Sequence, residues 1–178
     1  PATTMAPMVH PDHVARVEGF VERARAAGDT VLWGGHRHGG PDSLHFEPTL
    51  VEPASNRSEI VQNEVFGPVL TIQTFDDEAA AVELANSTRY GLSAIVFTTS
   101  RARAERVGRA VRAGIVWVNT FLVRDITAPF GGCGMSGIGR EGGDHALDFH
   151  SDLKTLVILD DSTGQAPRTR LGQPAPGR

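Results

Sequence analysis

A regular alternation of strand-like and helix-like segments between positions 69 and 118 restricts the possible folds of this chain more than any other feature. The alternating segments, in the order strand, helix, strand, helix, strand, are 69–75, 78–87, 93–98, 100–113 and 115–118. Asp76-Asp77 and Ser100 stand where N-caps of the two helices are expected, and Gly114 follows the second helix as a stop. Strands that alternate with helices through short connections lie parallel and are joined by right-handed crossovers. The sequence therefore predicts an α/β fold with a mostly parallel sheet.

The residues before this alternation predict one amphipathic helix, a strand and an extended segment. Apolar residues recur at helical spacing over 11–27, and Gly28 ends the pattern. The apolar residues on the inner face of this helix are Val14, Val17, Val21 and Ala24. Positions 30–33 form a strand candidate, 46–51 are expected to be extended, and 58–63 can form one helical turn.

The residues after the alternation predict a long loop, two short elements and a polar tail. The loop covers 119–140 and is rich in glycine. A weak helix over 143–152 and a final apolar strand over 155–159 follow it. The segment 160–178 is polar and rich in proline and glycine, so burial cannot offset the entropy lost on ordering it.

Composition removes several functional classes from consideration. The net charge of −4 gives no electrostatic reason to expect nucleic-acid binding, and no apolar run approaches the roughly 20 residues that span a bilayer. The start has no signal-peptide pattern, and Pro1 in place of methionine fits a fragment or a processed chain. The single cysteine, Cys133, excludes an internal disulfide and favours a cytoplasmic location. The histidines show no ligand spacing that predicts a metal site.

The most promising place for a functional site is the loop that follows the last strand of the alternation. Ligands of open parallel α/β sheets bind beyond the carboxyl ends of the strands. The strand over 115–118 runs directly into Asn119 and the glycine-rich loop. Loops of this length inside compact domains are usually functional or disordered. We therefore expect residues 119–143 to form the site.

Two features of this loop suggest chemistry that its context does not support. Residues 132–137 match G-x-G-x-x-G, but a dinucleotide fingerprint needs a strand immediately before it and a helix immediately after it. Glycines that supply positive φ angles and close backbone approach are the simpler interpretation. Cys133 would be a nucleophile only if folding brought an activating base to it, so an incidental small residue is the simpler interpretation there too.

A series of motifs in fixed order resembles a known enzyme family. The motifs are E-V-F-G-P-V at 64–69, A-G-I-V-W-V-N at 113–119, P-F-G-G at 129–132 and S-G-I-G-R-E-G-G at 136–143. Together they resemble the C-terminal part of the NAD(P)-dependent aldehyde dehydrogenases. The run N-T-F-L-V-R-D at 119–125, followed by Pro129 and Phe130, is similar to the hydroxymuconic semialdehyde dehydrogenases. Those enzymes oxidise ring-cleavage semialdehydes that carry carboxylates.

The resemblance implies an incomplete enzyme with a three-layer α/β/α fold. Residues 1–159 would form part of the catalytic domain, with a strand at about 155–159 that joins subunits of a homo-oligomer, and 160–178 would be a tail. In that family the nucleophilic cysteine, the general-base glutamate and the dinucleotide-binding domain lie upstream of the matching segment. The chain is therefore expected to need a missing N-terminal part, to be inactive alone, and to bind NAD or NADP weakly.

The resemblance also implies roles for five residues. Glu64 would accept hydrogen bonds from the hydroxyls of the nicotinamide ribose, and Phe66 would flank the nicotinamide. Arg124 would bind a substrate carboxylate through its planar guanidinium group. Phe130 would line the aldehyde channel, and Asn119 would shape the wall of the site. We expect Glu64, Arg124 and Phe130 to converge on one cleft.

Each of these roles has a simpler alternative. Glu64 could be a solvated carboxylate, Phe66 and Phe130 could be core aromatics, and Arg124 could pair with Asp125 or another acid. The chain as a whole could instead be a non-catalytic oligomerisation or scaffold module. A small dinucleotide-binding protein is a third alternative, and it would rest on the G-x-G-x-x-G match alone.

Overall fold

The computed structural model describes residues 5–158, and its first half is one long helix against a small sheet. Helix α1 spans Pro11–Ala26 and starts with a proline. N–H groups of the first helical turn have no acceptor within the helix, so the absence of an N–H on proline removes no hydrogen bond there. The helix buries one face, as its apolar spacing predicts. The buried residues of that face are Val14, Val17, Phe20, Val21 and Ala24.

Three strands form the first sheet. They are β1 (Thr30–Trp33), β2 (Thr49–Glu52) and β3 (Val69–Thr71), in that spatial order. β1 and β2 are antiparallel, whereas β2 and β3 are parallel. Helix α2 (Glu59–Gln62) lies in the connection between β2 and β3. Val51 of β2 and Ile60 of α2 join the buried face of α1 in one apolar core.

The second half contains the alternation of strands and helices. Its elements are α3 (Glu78–Ala85), β4 (Ser93–Val96), α4 (Arg101–Ala110) and β5 (Ile115–Val118). β4 and β5 pair in parallel through the helical crossover, as predicted. Both helices have a predicted N-cap. Asp77, of the pair Asp76-Asp77, accepts from the N–H of Ala80 at 2.8 Å, and Ser100 accepts from that of Arg103 at 3.3 Å. The α/β class with a parallel strand pair is confirmed.

Helix α4 packs on β4 and β5, and α3 packs on α4. In β4, Ala94 and Val96 are half-buried, whereas Ile95 on the opposite face is 40% exposed. Phe97, directly after the strand, is 75% exposed. Because side chains alternate along a strand, the described helices cover one face of this sheet and leave apolar side chains on the other.

The first strand of the alternation differs from the prediction in both length and partner. β3 covers three residues of the predicted 69–75 and hydrogen-bonds to β2, so the described strands form two sheets. The N–H of Thr49 donates to the carbonyl oxygen of Pro68 at 2.8 Å, and the N–H of Ile72 donates to that of Val51 at 2.9 Å. Whether β3 pairs with β2 or with β4 depends on contacts between distant parts of the chain, and the alternation of strands and helices does not encode those contacts.

Helix α4 also ends earlier than predicted, at Ala110 instead of 113. The side chain of Asn86 explains this end, because its Nδ2 donates to the carbonyl oxygen of Ala110 at 2.9 Å and its Oδ1 accepts from the N–H of Arg112 at 2.6 Å. A distant amide therefore satisfies backbone groups that another helical turn would have used.

The end of the described chain lacks the predicted strand. Helix α5 covers His145–His150 inside the predicted 143–152. Residues 155–158 belong to no strand and are exposed, since no neighbouring strand edge pairs with them. Residue 159 and the predicted tail 160–178 lie outside the described residues. Between residues 5 and 158, no helix has the length and apolar character needed to cross a bilayer.

Candidate functional site

The loop after β5 folds back onto the turn before β4. The N–H of Cys133 donates to the carbonyl oxygen of Gly91 at 2.9 Å, and the N–H of Gly91 donates to Ser136 Oγ at 3.0 Å. Glycines make this contact possible, because a Cβ on Gly114 would lie 1.6 Å from the carbonyl oxygen of Gly131. Within the G-x-G-x-x-G segment, a Cβ on Gly134 would lie 2.3 Å from the carbonyl oxygen of Arg89, so this segment also serves close backbone approach. The segment contains a single 3₁₀ turn, Gly134–Ser136.

Cys133 sits in this contact as a partly buried free thiol. Its Sγ lies 3.4 Å from the carbonyl oxygen of Gly91 and 3.6 Å from that of Arg112. Both contacts use the sulfur as a donor, whereas a nucleophilic cysteine reacts as the thiolate and needs a base or a cation beside it. This geometry fits the structural interpretation of Cys133.

Arg124 and Phe130 come together in the same loop, with an acid that the sequence did not single out. The Arg124 guanidinium lies 4.7 Å from the Phe130 ring centre, and its Nη2 donates to Glu141 Oε1 at 2.5 Å. Phe130 and Glu141 also exchange two backbone hydrogen bonds of 2.7 and 2.8 Å. The acid paired with Arg124 is thus Glu141, and both side chains of the pair are more than half exposed.

Asp125, the other candidate partner of Arg124, is engaged in a turn of its own loop. Its Oδ1 accepts hydrogen bonds from the hydroxyl of Thr127 at 2.7 Å and from the N–H of the same residue at 2.9 Å. These hydrogen bonds, the side-chain one first, hold the pKa of Asp125 below its ordinary value. Asp125 therefore shapes the loop that presents Arg124.

Asn119 closes the carboxyl end of β5 onto the end of β4. Its side-chain amide accepts from the N–H of Thr98 and donates to the carbonyl oxygen of Thr98, both at 2.8 Å. Its φ of 53° lies in the left-handed region, which asparagine tolerates better than most residues. Asn119 also lines an open cleft of about 560 Å³ beside α4. The described contacts therefore give this side chain a structural role at the rim of a cleft.

Glu64 lines a different cleft, of about 710 Å³, between the end of helix α2 and the start of β4. Tyr90, Ser93 and Ser136 line the same cleft. Within residues 5–158, no hydrogen bond or ion pair involves the Glu64 carboxylate, and the residue is exposed. Phe66 is 68% exposed, so the alternative of a core aromatic does not describe it.

The segment that carries Glu64 and Phe66 rests on helix α1. Arg16 and His13 both contact backbone carbonyl groups of residues 64–66. Neither residue was predicted from the sequence, although they lie three positions apart on one helix face, beside the buried stripe. Glu141 was missed as well, although it stands inside the S-G-I-G-R-E-G-G motif.

The predicted site residues occupy three places, and their convergence on one cleft stays a prediction. Glu64 lies on the connection between α2 and β3, whereas Arg124 and Phe130 lie on the loop after β5. Ser136 of the same loop lines the Glu64 cleft, whereas Arg124 and Phe130 line none of the three described clefts. In the same part of the chain, no three His, Cys, Asp or Glu side chains are grouped so that they could hold a metal ion.

The chain is similar to known proteins along most of its length. The model of the aldehyde dehydrogenase family matches residues 1–156. A 2-aminomuconic 6-semialdehyde dehydrogenase from Pseudomonas sp is 42% identical over 163 residues, which cover 89% of this chain and 33% of that protein. A 2-hydroxymuconic semialdehyde dehydrogenase from Pseudomonas sp. strain CF600 is 40% identical, with the same 89% and 33% coverage. The chain therefore spans about a third of the length of these curated relatives.

Solved structures show the same similarity. HpcC from Thermus thermophilus superposes with a TM-score of 0.81 at 42% identity, over 88% of this chain and 32% of that one. Betaine aldehyde dehydrogenase from Staphylococcus aureus in complex with NAD+ superposes with a TM-score of 0.78 at 39% identity, over 83% of this chain and 30% of that one. At these identities the likeness covers sequence as well as fold.

Proposed function

Since the chain belongs to the aldehyde dehydrogenase family, we propose that it supplies substrate and cofactor contacts for the NAD(P)-dependent oxidation of a carboxylate-bearing semialdehyde of the hydroxymuconic type. The observation that carries this proposal is the exposed guanidinium group of Arg124. The Phe130 ring stacks against the guanidinium group, and Glu141 accepts a hydrogen bond from one of its nitrogens. The family and the names of the relatives support the reaction class.

The geometry at Arg124 suits a carboxylate ligand. A guanidinium group has five N–H donors in a fixed plane, and the contact with Glu141 uses one nitrogen. Among the described residues, Nε and Nη1 of Arg124 have no hydrogen-bond acceptor. Nη2 also keeps a second N–H, which forms a free edge of the group with one of these two nitrogens. A carboxylate can bind this edge bidentately while Phe130 supports the face.

Glu64 fits the proposed contact with the cofactor. Its carboxylate faces a cleft and is not engaged by any described side chain, so it can accept hydrogen bonds from two ribose hydroxyls. A bound nicotinamide supplies the acceptor for one hydride from the aldehyde carbon. Water supplies the second oxygen of the acid, and two protons leave for each aldehyde oxidised. In this proposal the nucleophile and the general base come from outside the chain, since Cys133 donates to carbonyl groups.

A binding experiment on the chain tests the role of Arg124. Muconate, a dicarboxylate without the aldehyde, is titrated into isotope-labelled chain, and the signals of the Arg124 side chain and the Glu141 backbone are followed by NMR. Both should shift, and Arg124→Ala should weaken binding by about 1.5–3 kcal/mol, the usual contribution of a hydrogen bond to a charged group. Arg89→Ala is the matched control, because Arg89 also lies over an aromatic ring, that of Tyr90, at 5.8 Å.

Two results would contradict the proposal. One is equal weakening by Arg89→Ala and Arg124→Ala, which would indicate non-specific attraction between charges. The other is turnover by the purified chain: with NAD and a muconic semialdehyde we expect no NADH absorbance. Robust NADH formation that Cys133→Ser abolishes would make Cys133 the nucleophile.

A second candidate function is a non-catalytic oligomerisation module, and the end of the described chain favours it. Its apolar side chains are 74–101% exposed. They are Leu153, Leu156, Val157 and Ile158. A contiguous exposed apolar run of this kind promotes association. Light scattering over a range of concentrations distinguishes the candidates, since a monomer at every concentration would argue against this one.

A further inference from the structure

Helix α1 holds the segment that carries both proposed cofactor contacts. Arg16 donates from Nη2 to the carbonyl oxygen of Glu64 at 2.7 Å and from Nη1 to that of Val65 at 2.6 Å. His13, one turn earlier on the same helix face, hydrogen-bonds through Nε2 to the carbonyl oxygen of Phe66. Three consecutive carbonyl groups are thus bound by two side chains of one helix.

The same segment has a backbone shape that needs support. Phe66 has a φ of 58°, a left-handed conformation that a bulky residue adopts only when its surroundings hold it there. The next residue, Gly67, lies so close to α1 that a Cβ would be 2.6 Å from Val17 Cγ2. The ring centres of His13 and Phe66 are 6.0 Å apart, so helix and segment also meet through their aromatic rings. Helix α1 therefore supplies the contacts that can hold this conformation.

We infer that Arg16 and His13 are positioning residues for NAD(P). They fix the carbonyl groups of residues 64–66 and thereby set the direction of the Glu64 carboxylate and of the Phe66 ring. The planar fork of arginine suits this task because its two terminal nitrogens reach two adjacent carbonyl groups, whereas a lysine ammonium is a single point of contact. This inference rests on the proposed cofactor role of Glu64 and Phe66.

Titration of NAD into the chain, up to millimolar concentration and followed by NMR, tests the inference. Arg16→Lys keeps the positive charge and removes the fork, and we expect it to weaken NAD binding roughly tenfold while the melting temperature stays near that of the wild type. Glu64→Gln should weaken binding directly. Arg23→Gln is the matched control, because Arg23 lies on the same helix and pairs with Glu59 at 2.8 Å, away from the segment.

A second measurement needs no cofactor. Nuclear Overhauser contacts between the rings of His13 and Phe66 report whether the segment still lies on α1. We expect these contacts in the wild type and in Arg23→Gln, and we expect them to weaken or vanish in Arg16→Lys and Arg16→Gln. If they persist unchanged in both Arg16 variants, Arg16 does not hold the segment and the inference is wrong.

The two measurements separate this inference from the proposal beneath it. If Glu64→Gln leaves NAD affinity unchanged, the cofactor role of Glu64 fails, and the ring contacts still decide whether Arg16 holds the segment. If Glu64→Gln weakens NAD binding but Arg16→Lys does not, the cofactor role stands and the positioning role is refuted. Loss of affinity in Arg16→Lys with no loss in Arg23→Gln supports both.

Discussion

Replacing Gly114 with alanine should destabilise the protein, because the added methyl group would collide with the backbone of the site loop. A Cβ at this position would lie 1.6 Å from the carbonyl oxygen of Gly131 and 2.7 Å from its carbonyl carbon. To reach an ordinary contact of 3.4 Å, the two segments must separate by about 1.8 Å (3.4 minus 1.6). Overpacking costs about 1–3 kcal/mol, and we expect the upper part of this range because both colliding groups are backbone.

Gly108→Ala is the matched control for the same one-carbon addition. A Cβ on Gly108 would meet Val116 Cγ1 at 3.9 Å, which is an ordinary contact. Gly108 lies inside α4, where alanine is favoured over glycine by about 0.5–1 kcal/mol. The two substitutions should therefore change the free energy of unfolding in opposite directions.

Urea and thermal unfolding of the two variants measure this difference. For a chain of this size, about 1 kcal/mol shifts the melting temperature by roughly 2–4 °C, so Gly114→Ala should melt well below Gly108→Ala. Cys133 gives a local readout, because it lies in the same loop and its thiol should react faster with Ellman's reagent when the loop is displaced. A Gly114→Ala variant as stable as Gly108→Ala, with an equally protected thiol, would refute the close-contact argument.

Three further predictions concern contacts that hold the second sheet together. The pKa of Glu78 lies below its ordinary value because Arg106 donates a hydrogen bond to its carboxylate. The ion pair therefore contributes to stability above the ordinary glutamate pKa, and this contribution disappears as the pH falls through the lowered pKa. The difference in melting temperature between wild type and Glu78→Gln should shrink on acidification. Asn119→Ala should cost about 2 kcal/mol in urea unfolding, since it removes two hydrogen bonds to Thr98. Asn119→Gly, which tolerates the φ of 53°, should cost less, and equal losses would mean that backbone strain plays no part. Trp117→Phe removes the hydrogen bond of 2.8 Å from the indole N–H to the carbonyl oxygen of Val123, and it should lower the free energy of unfolding by about 1 kcal/mol. An unchanged free energy of unfolding would show that this bond contributes nothing.

Local signals in the sequence predicted most of the helices and caps. The apolar spacing of 11–27 gave the buried face of α1, and Asp77 and Ser100 are the caps of α3 and α4. These predictions succeed because caps and amphipathic faces depend on residues three or four positions apart. The parallel pair of β4 and β5 also followed from the sequence, since a short helical crossover leaves few other arrangements.

The failures have one physical origin, which is the choice of partners far along the chain. Asn86 ends α4 from 24 residues away, and the partner of β3 is β2. Residues 155–158 form no strand within this chain, and the predicted role of 155–159 in joining subunits stays a prediction. A strand pattern states that a segment can pair, whereas hydrogen bonding across the fold decides whether and where it does.

The candidate site divides in the same way between sequence and tertiary structure. The amino-acid sequence by itself determined the family, because the family is carried by ordered motifs. From the same motifs and from side-chain chemistry it predicted a site-forming loop and residues that suit a carboxylate and a ribose. Tertiary structure alone decided that Glu141 is the acid paired with Arg124 and that Arg16 holds the backbone of Glu64 from 48 residues away. The physical reason is that hydrogen-bond partners are selected by distance and direction in space, and separation along the chain encodes neither.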